Sequence, residues 1–273
     1  VKFAVCNEIF ESADLTEAYK FTCELGYTGL EVAPFTLGES PTKLTSSERT
    51  AFSKKARDSG LEVIGLHWLL VKTEGFHLTT NDTAVRKRTA DYFRELIELC
   101  SDLGGSIMVL GSPKQRNFIA PMTHSSAMGN AADLISSISD QLLAHSVTLA
   151  IEPLGPSEGN FLNLAAQGVE LIRQIDCPNV KLHLDVKAMS SEPTGVGDII
   201  RENRQELVHF HANDPNLLGP GMGEFDQRPV FQALQDIGYN DWVSVEVFDF
   251  ALGYKEILKR SWHGMHSAIA AAG

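Results

Sequence analysis

Four side chains with the chemistry to hold a metal ion stand at the ends of four successive apolar runs. Glu152 follows "VTLAI", Asp185 lies in "VKLHLDV", His211 in "LVHFHAND" and Glu246 in "WVSVEVF", at intervals of 33, 26 and 35 residues. An unpaired carboxylate at the end of a buried strand costs several kcal/mol, ~2–7 for a polar group left without a partner and more for a charge. Three carboxylates and one imidazole therefore share a buried site only with a compensating cation. Oxygen-rich ligands with a single nitrogen suit a hard or borderline divalent ion, Mn²⁺, Mg²⁺, Co²⁺ or Zn²⁺. No cysteine takes part, which argues against a structural zinc.

For these residues to meet, the runs carrying them must be neighbouring strands. Eight apolar runs recur along the chain, at 1–10, 29–35, 61–70, 106–112, 147–154, 180–189, 207–214 and 242–250. They are rich in Val, Ile, Leu and Phe, as parallel strands covered on both faces should be. Helical patterns separate them. "DLTEAYKFTCELG" opens at a capping acid and stops at Gly26, "SSERTAFSKKARDSG" runs from Ser to Gly60, and "TADYFRELIELCSDLGG" repeats its apolar residues at helical spacing. Further helices are expected near 124–146, 163–176, 196–206, 225–238 and 252–269. Strict βα alternation implies a parallel sheet, and eight units of this length fit one closed (β/α)8 TIM barrel spanning residues 1–273. A doubly wound open sheet would carry a glycine-rich phosphate turn after its first strand, and "CNEIFESAD" is not one. In a barrel the catalytic face is where strands run into their βα-loops, so the four residues stand at one level of four adjacent staves.

Composition narrows the function. The chain has 273 residues, 43% hydrophobic and 21% charged, with a formal net charge of -12. That acidity counts against a nucleic-acid partner. No apolar run reaches the ~20 residues that span a bilayer, so no membrane is expected. Cys6, Cys23, Cys100 and Cys177 lie far apart without CxxC pairing and read as reduced thiols, some of them in the core. A cytoplasmic enzyme acting on a small molecule is the default expectation. Trp262 and the alanine-rich tail "AIAAAG" hint at contact surfaces of a homo-oligomer.

"IEPL", "HLDVKAM", "HFHAND" and "VSVEVF" resemble the xylose isomerase-like TIM-barrel superfamily, and in kind the sugar phosphate isomerase/epimerase group that includes the ketose 3-epimerases. The resemblance covers essentially the whole chain. It implies that Glu152, Asp185, His211 and Glu246 are metal ligands, and that Glu152 and Glu246 are the two catalytic glutamates. It places Glu158 of "PLGPSEGNF" on a substrate hydroxyl, and reads "GPGMGEFD" as a glycine turn with Asp226 as a helix cap. Two positions depart from the 3-epimerases. Ala188 stands where they have a substrate-binding histidine, and "HANDPNLLG" lacks their arginine. The metal site is kept while the sugar-gripping shell is altered.

The expected chemistry is proton transfer beside a carbonyl in a sugar or sugar phosphate, through an enediolate, with Glu152 and Glu246 on opposite faces. A metal-dependent lyase or dehydratase acting on a polyol would begin with the same step. A barrel that binds sugar without turnover would not need both glutamates. An abasic-site endonuclease would need more histidines than Leu110, Gly111 and Ala188 allow. His67 and Lys187 are expected to contact substrate, and Glu31 is a candidate for the pocket. His183 and His209, two residues before a candidate ligand, share its face and read as satisfied interior histidines, or more sharply as support for the metal from within. Trp68 is expected to point away from His67's side, since neighbours on a strand alternate. "VKTEGFHLTTNDT" reads as a lid, and Lys114 and Arg116 as cations that meet a phosphate or are simply solvated.

Overall fold

The computed structural model describes residues 1–11 and 13–272. Eight parallel strands close into a barrel in chain order: β1 (Lys2–Cys6), β2 (Gly29–Val32), β3 (Glu62–Leu66), β4 (Ile107–Leu110), β5 (Thr148–Ile151), β6 (Val180–Asp185), β7 (Leu207–Ala212) and β8 (Trp242–Val245). β1 pairs with both β2 and β8, which closes the ring. Each apolar run holds a strand shorter than the run itself. Glu152 and Glu246 fall one residue beyond their strands, whereas Asp185 and His211 are the last and penultimate residues of theirs.

The helices follow their caps. Asp14 accepts hydrogen bonds from the backbone of Thr16 and Glu17 to start Leu15–Leu25, and Gly26 ends it at φ 110°, a conformation that favours glycine. Thr45 and Glu48 form a capping box at the start of Ser46–Asp58, one residue before the expected serine. The helix expected at 124–146 is two, His124–Ser136 and Ser139–His145. Asp226 accepts a hydrogen bond from Arg228 N at 3.0 Å, but the cap position of Arg228–Asp236 is Gln227, so the expected cap stands one residue outside the helix. Trp262 is half-buried, edge-on to Tyr27 at 5.0 Å and Phe3 at 5.4 Å. The end of the "AIAAAG" tail, Gly273, lies outside the described residues. No helix among the described residues is long and apolar enough to cross a membrane.

The main core lies between strands and helices, and the barrel interior is layered differently. Ala4, Ile64 and Trp242 form a separate apolar floor. A Cβ on Gly29 would collide with Ala4 and the Trp242 ring, so glycine is needed where β2 crosses this floor. Above it the interior turns polar. Register pairs His183 with His209, Asp185 with His211, and His211 with Ser244. The period of two along each strand therefore stacks the layer of Asp185 and His211 directly on a layer of His183 and His209.

Candidate metal centre

Glu152, Asp185, His211 and Glu246 offer ligand atoms that all lie within 4.8 Å of one another. The four are buried, none more than 6% exposed. His211 Nδ1 lies 3.3 Å from Glu246 Oε2 and has no hydrogen-bond partner, so its lone pair is free to face a cation. Both oxygens of Asp185 are held: the backbone N–H of Ala188 donates to Oδ1 at 2.7 Å and the Asn213 amide donates to Oδ2. Asn213 is fixed in turn, because Lys187 N donates to its side-chain oxygen and Gln227 donates to its carbonyl. Sequence reasoning passed over Asn213, although it stands two residues after His211 in the same motif.

The electrostatics show a site short of positive charge. Burial, then the charges of Glu246 and Asp185, push the Glu152 carboxyl well above its ordinary range. Burial and Glu246 push Asp185 up to about 6. Burial also acts upward on Glu246, but His211 and His67 outweigh it and hold that carboxyl well below the usual range. Two acids that resist ionisation beside one that does not are what a carboxylate cluster built for a cation looks like without it. The donor set, its burial and the unpartnered imidazole nitrogen fit a divalent ion held by Glu152, Asp185, His211 and Glu246.

A polar layer supports these residues from below. Glu31 is fully buried and takes His209 Nε2 at 2.8 Å and His211 Nε2 at 3.2 Å. Donation from Nε2 to a carboxylate leaves Nδ1 of His211 as the lone-pair nitrogen facing the ligand centre, the arrangement that commonly orients metal-binding histidines. His183 packs against the His211 ring at 4.1 Å with both nitrogens unpartnered, and burial followed by the neighbouring imidazoles keeps it neutral. Glu31 is thus beneath the centre rather than in the pocket. Glu8, in the short helix Asn7–Phe10 after β1, lies 2.9 Å from His67 Nε2, while His67 Nδ1 lies 3.4 Å from Glu246 Oε1. These are charge contacts rather than aligned hydrogen bonds. His67 thereby sits against Glu246 itself.

Several expectations change here. Arg116 is neither solvated nor free for a phosphate. It is 3% exposed, and its guanidinium donates to the carbonyls of Glu152 at 2.6 Å and Leu162 at 3.5 Å. It clamps the chain where β5 leaves the barrel. Trp68 does not point away: β3 has already ended at Leu66, so alternation no longer governs it. Its φ of 50° turns the ring to the mouth, between Phe35 at 6.0 Å and Phe248 at 5.9 Å. Phe76 and His77 do not form a lid. Phe76 stacks on Tyr92 at 4.6 Å, and His77 N donates to Thr89, tying both to the helix Thr83–Asp102. Glu158 and Lys187 both reach the mouth, paired with each other at 2.7 Å.

The family model described as a xylose isomerase-like TIM barrel matches residues 20–262. The chain belongs to this family. Among curated relatives, the D-psicose 3-epimerase of Agrobacterium fabrum is 29% identical over 231 residues, covering 82% of this chain and 76% of the relative. A probable ketose 3-epimerase of Synechocystis and an L-ribulose 3-epimerase of Mesorhizobium japonicum are each matched over 62% of their own length. Among solved structures, D-psicose 3-epimerase with D-tagatose from Clostridium cellulolyticum H10 superposes at a TM-score of 0.85 with 20% identity, covering 100% of this chain and 99% of that one. The IOLI protein with a binding zinc atom superposes at 0.78 with 18% identity, covering 100% and 99%. At these identities the structural likeness establishes the fold. The curated relatives are sugar epimerases, which are isomerase-class enzymes.

Proposed function

We propose that this protein is a divalent-metal-dependent epimerase or isomerase of a neutral keto-sugar. The observation that carries the reading is the convergence of Glu152, Asp185, His211 and Glu246 within 4.8 Å at the mouth of the barrel. A divalent ion there would polarise the carbonyl and adjoining hydroxyl of an α-hydroxy ketone and stabilise the enediolate charge. The remaining work falls to the chain. Glu246, with His67 Nδ1 3.4 Å from its Oε1, takes the proton from the carbon beside the carbonyl. Glu152, from the facing strand end, returns a proton to the opposite face. His67 positions Glu246, Arg116 anchors the backbone of Glu152, and Asn213 holds Asp185 in its ligand orientation. Glu158 and Lys187 grip hydroxyls, Glu158 as acceptor and Lys187 as donor.

Charge supports a sugar over a sugar phosphate. Arg116 is occupied by two carbonyls and Lys187 by Glu158, so neither is free to hold a phosphate.

The test uses Glu246→Gln with the metal-loaded protein and a panel of ketoses in deuterated water. The parent should incorporate solvent deuterium beside the carbonyl; the variant should lose that incorporation while sugar binding persists. Normal incorporation in the variant would remove Glu246 from the reaction.

A further inference from the structure

The mouth above the ligand centre is roofed by one continuous stack. Lys72 Nζ sits 4.1 Å over the Phe35 ring, Phe35 stacks on Trp68, Trp68 stacks on Phe248, and Lys187 Nζ lies 4.7 Å from the centre of the Phe248 ring. The run ends where Lys187 meets Glu158 at 2.7 Å. Its members come from the segments after β2, β3, β8, β6 and β5. Beneath it Glu152, Asp185, His211 and Glu246 are almost fully shielded, so a molecule of sugar size reaches them only when the roof parts.

The backbone indicates which part gives way. The turn carrying Trp68 is pinned, since Val71 N donates to the Trp68 carbonyl at 3.0 Å and Leu70 N to Ser112 Oγ at 3.2 Å. Phe248 N donates to the Leu217 carbonyl at 2.9 Å. Lys187 N is held by Asn213, and Glu158 N donates to the Gly155 carbonyl at 2.9 Å. What remains free to swing is the side chains; of the long, unbranched ones, Lys72 lies at the far end of the stack over Phe35, while Lys187 and Glu158 close the near end. Theirs is also the contact in the roof that a sugar can replace in kind: a hydroxyl donates to the carboxylate and another accepts from the ammonium. The aromatic contacts have no such polar substitute.

We propose that the Lys187–Glu158 ion pair is the clasp of a side-chain lid over this centre, and that a neutral sugar opens it by exchanging the pair for its own hydroxyls. One pair then both closes the free protein and selects what enters. An anionic sugar would have to draw Lys187 from Glu158 while lying against the other carboxylates, so the clasp favours uncharged polyols. The sugar as natural opener rests on the function proposed above; the clasp itself does not.

Trp68 reports on the lid. The chain has 3 tryptophans, and fluorotryptophan labelling gives one fluorine NMR signal for each, with Trp68 assigned by its loss in Trp68→Phe. Lys187→Met should shift the Trp68 signal and raise its solvent isotope effect, while Trp242 on the barrel floor and Trp262 on the last helix stay in place. Glu158→Gln should do the same, and the double variant should add nothing further. Lys187→Arg, which can re-form the pair, should return the signal toward the parent position. Saturating D-tagatose should move the parent signal in the direction of the variants. A Trp68 signal that stays put in both single variants, or that Lys187→Arg fails to restore, overturns the clasp. Should all three signals shift in Lys187→Met, the Arg and Gln variants decide. Ketose turnover with an unmoved Trp68 signal refutes the clasp alone; a responsive Trp68 with no deuterium incorporation from any ketose refutes the proposed reaction alone.

Discussion

Glu31 offers the sharpest perturbation of the candidate metal centre, because it touches the four proposed ligands only through His211. Two imidazole N–H groups converge on its carboxylate, His209 at 2.8 Å and His211 at 3.2 Å from both oxygens. Glu31→Gln keeps the shape but leaves one acceptor oxygen and substitutes an NH₂ for the other. One imidazole then faces a donor and must change tautomer. His209 can, since its Nδ1 is unpartnered. His211 then keeps a neutral hydrogen bond in place of one to a charge. It also loses the carboxylate that, after burial has pushed its imidazole pKa down, does most to raise it again. Loss of such an outer partner lowers metal affinity about 10- to 100-fold, or about 1.4–2.7 kcal/mol. Glu31→Leu leaves both donors buried and unpaired, and should cost the fold about 1–3 kcal/mol for each. Competition against a chromophoric chelator measures the first effect, and thermal melts of the metal-free protein measure the second. If Glu31→Gln binds metal as tightly as the parent, His211 is not oriented from below and the layered reading of the barrel interior is wrong.

Two further outcomes follow from the same geometry. A Cβ on Gly111 would run into the Glu152 carboxylate, so Gly111→Ala should weaken metal binding while circular dichroism reports an unchanged fold; undiminished affinity would exclude Glu152 as a ligand. Asp185 is pushed up to about 6 by burial and Glu246, and Glu152 is pushed up as well, so both hold protons to higher pH than ordinary carboxyls. The ion must displace those protons, and affinity measured by calorimetry should therefore fall as pH drops through about 6, roughly tenfold per unit for each proton released. By the same sign, Asp185 stabilises the metal-free fold at low pH and ceases to as pH rises through that value. A flat affinity across this window would mean that the carboxylates are already ionised without metal.

Much of this protein is written locally. Asp14 and Gly26 mark a helix within a dozen residues because a cap and a left-handed glycine need only their neighbours. Eight apolar runs show as eight strands because a parallel strand covered on both faces must be apolar along its length. Once they are staves of one barrel, spacing alone brings Glu152, Asp185, His211 and Glu246 to a common level, and a period of two puts His183 and His209 on that same inner face. What the chain does not announce is where strands stop and which charges meet. Trp68 reaches the mouth because β3 ends two residues earlier and φ becomes positive. Arg116 looks like a loop cation until the segment after β5 supplies two carbonyls, of Glu152 and Leu162, to bury it against. Glu8, Glu31 and Asn213 gain their roles from partners on other staves, and Lys187 and Glu158 from each other across the mouth. The cost of burying a charge falls on the residue that carries it, while the partner that offsets the cost is chosen only when the barrel closes.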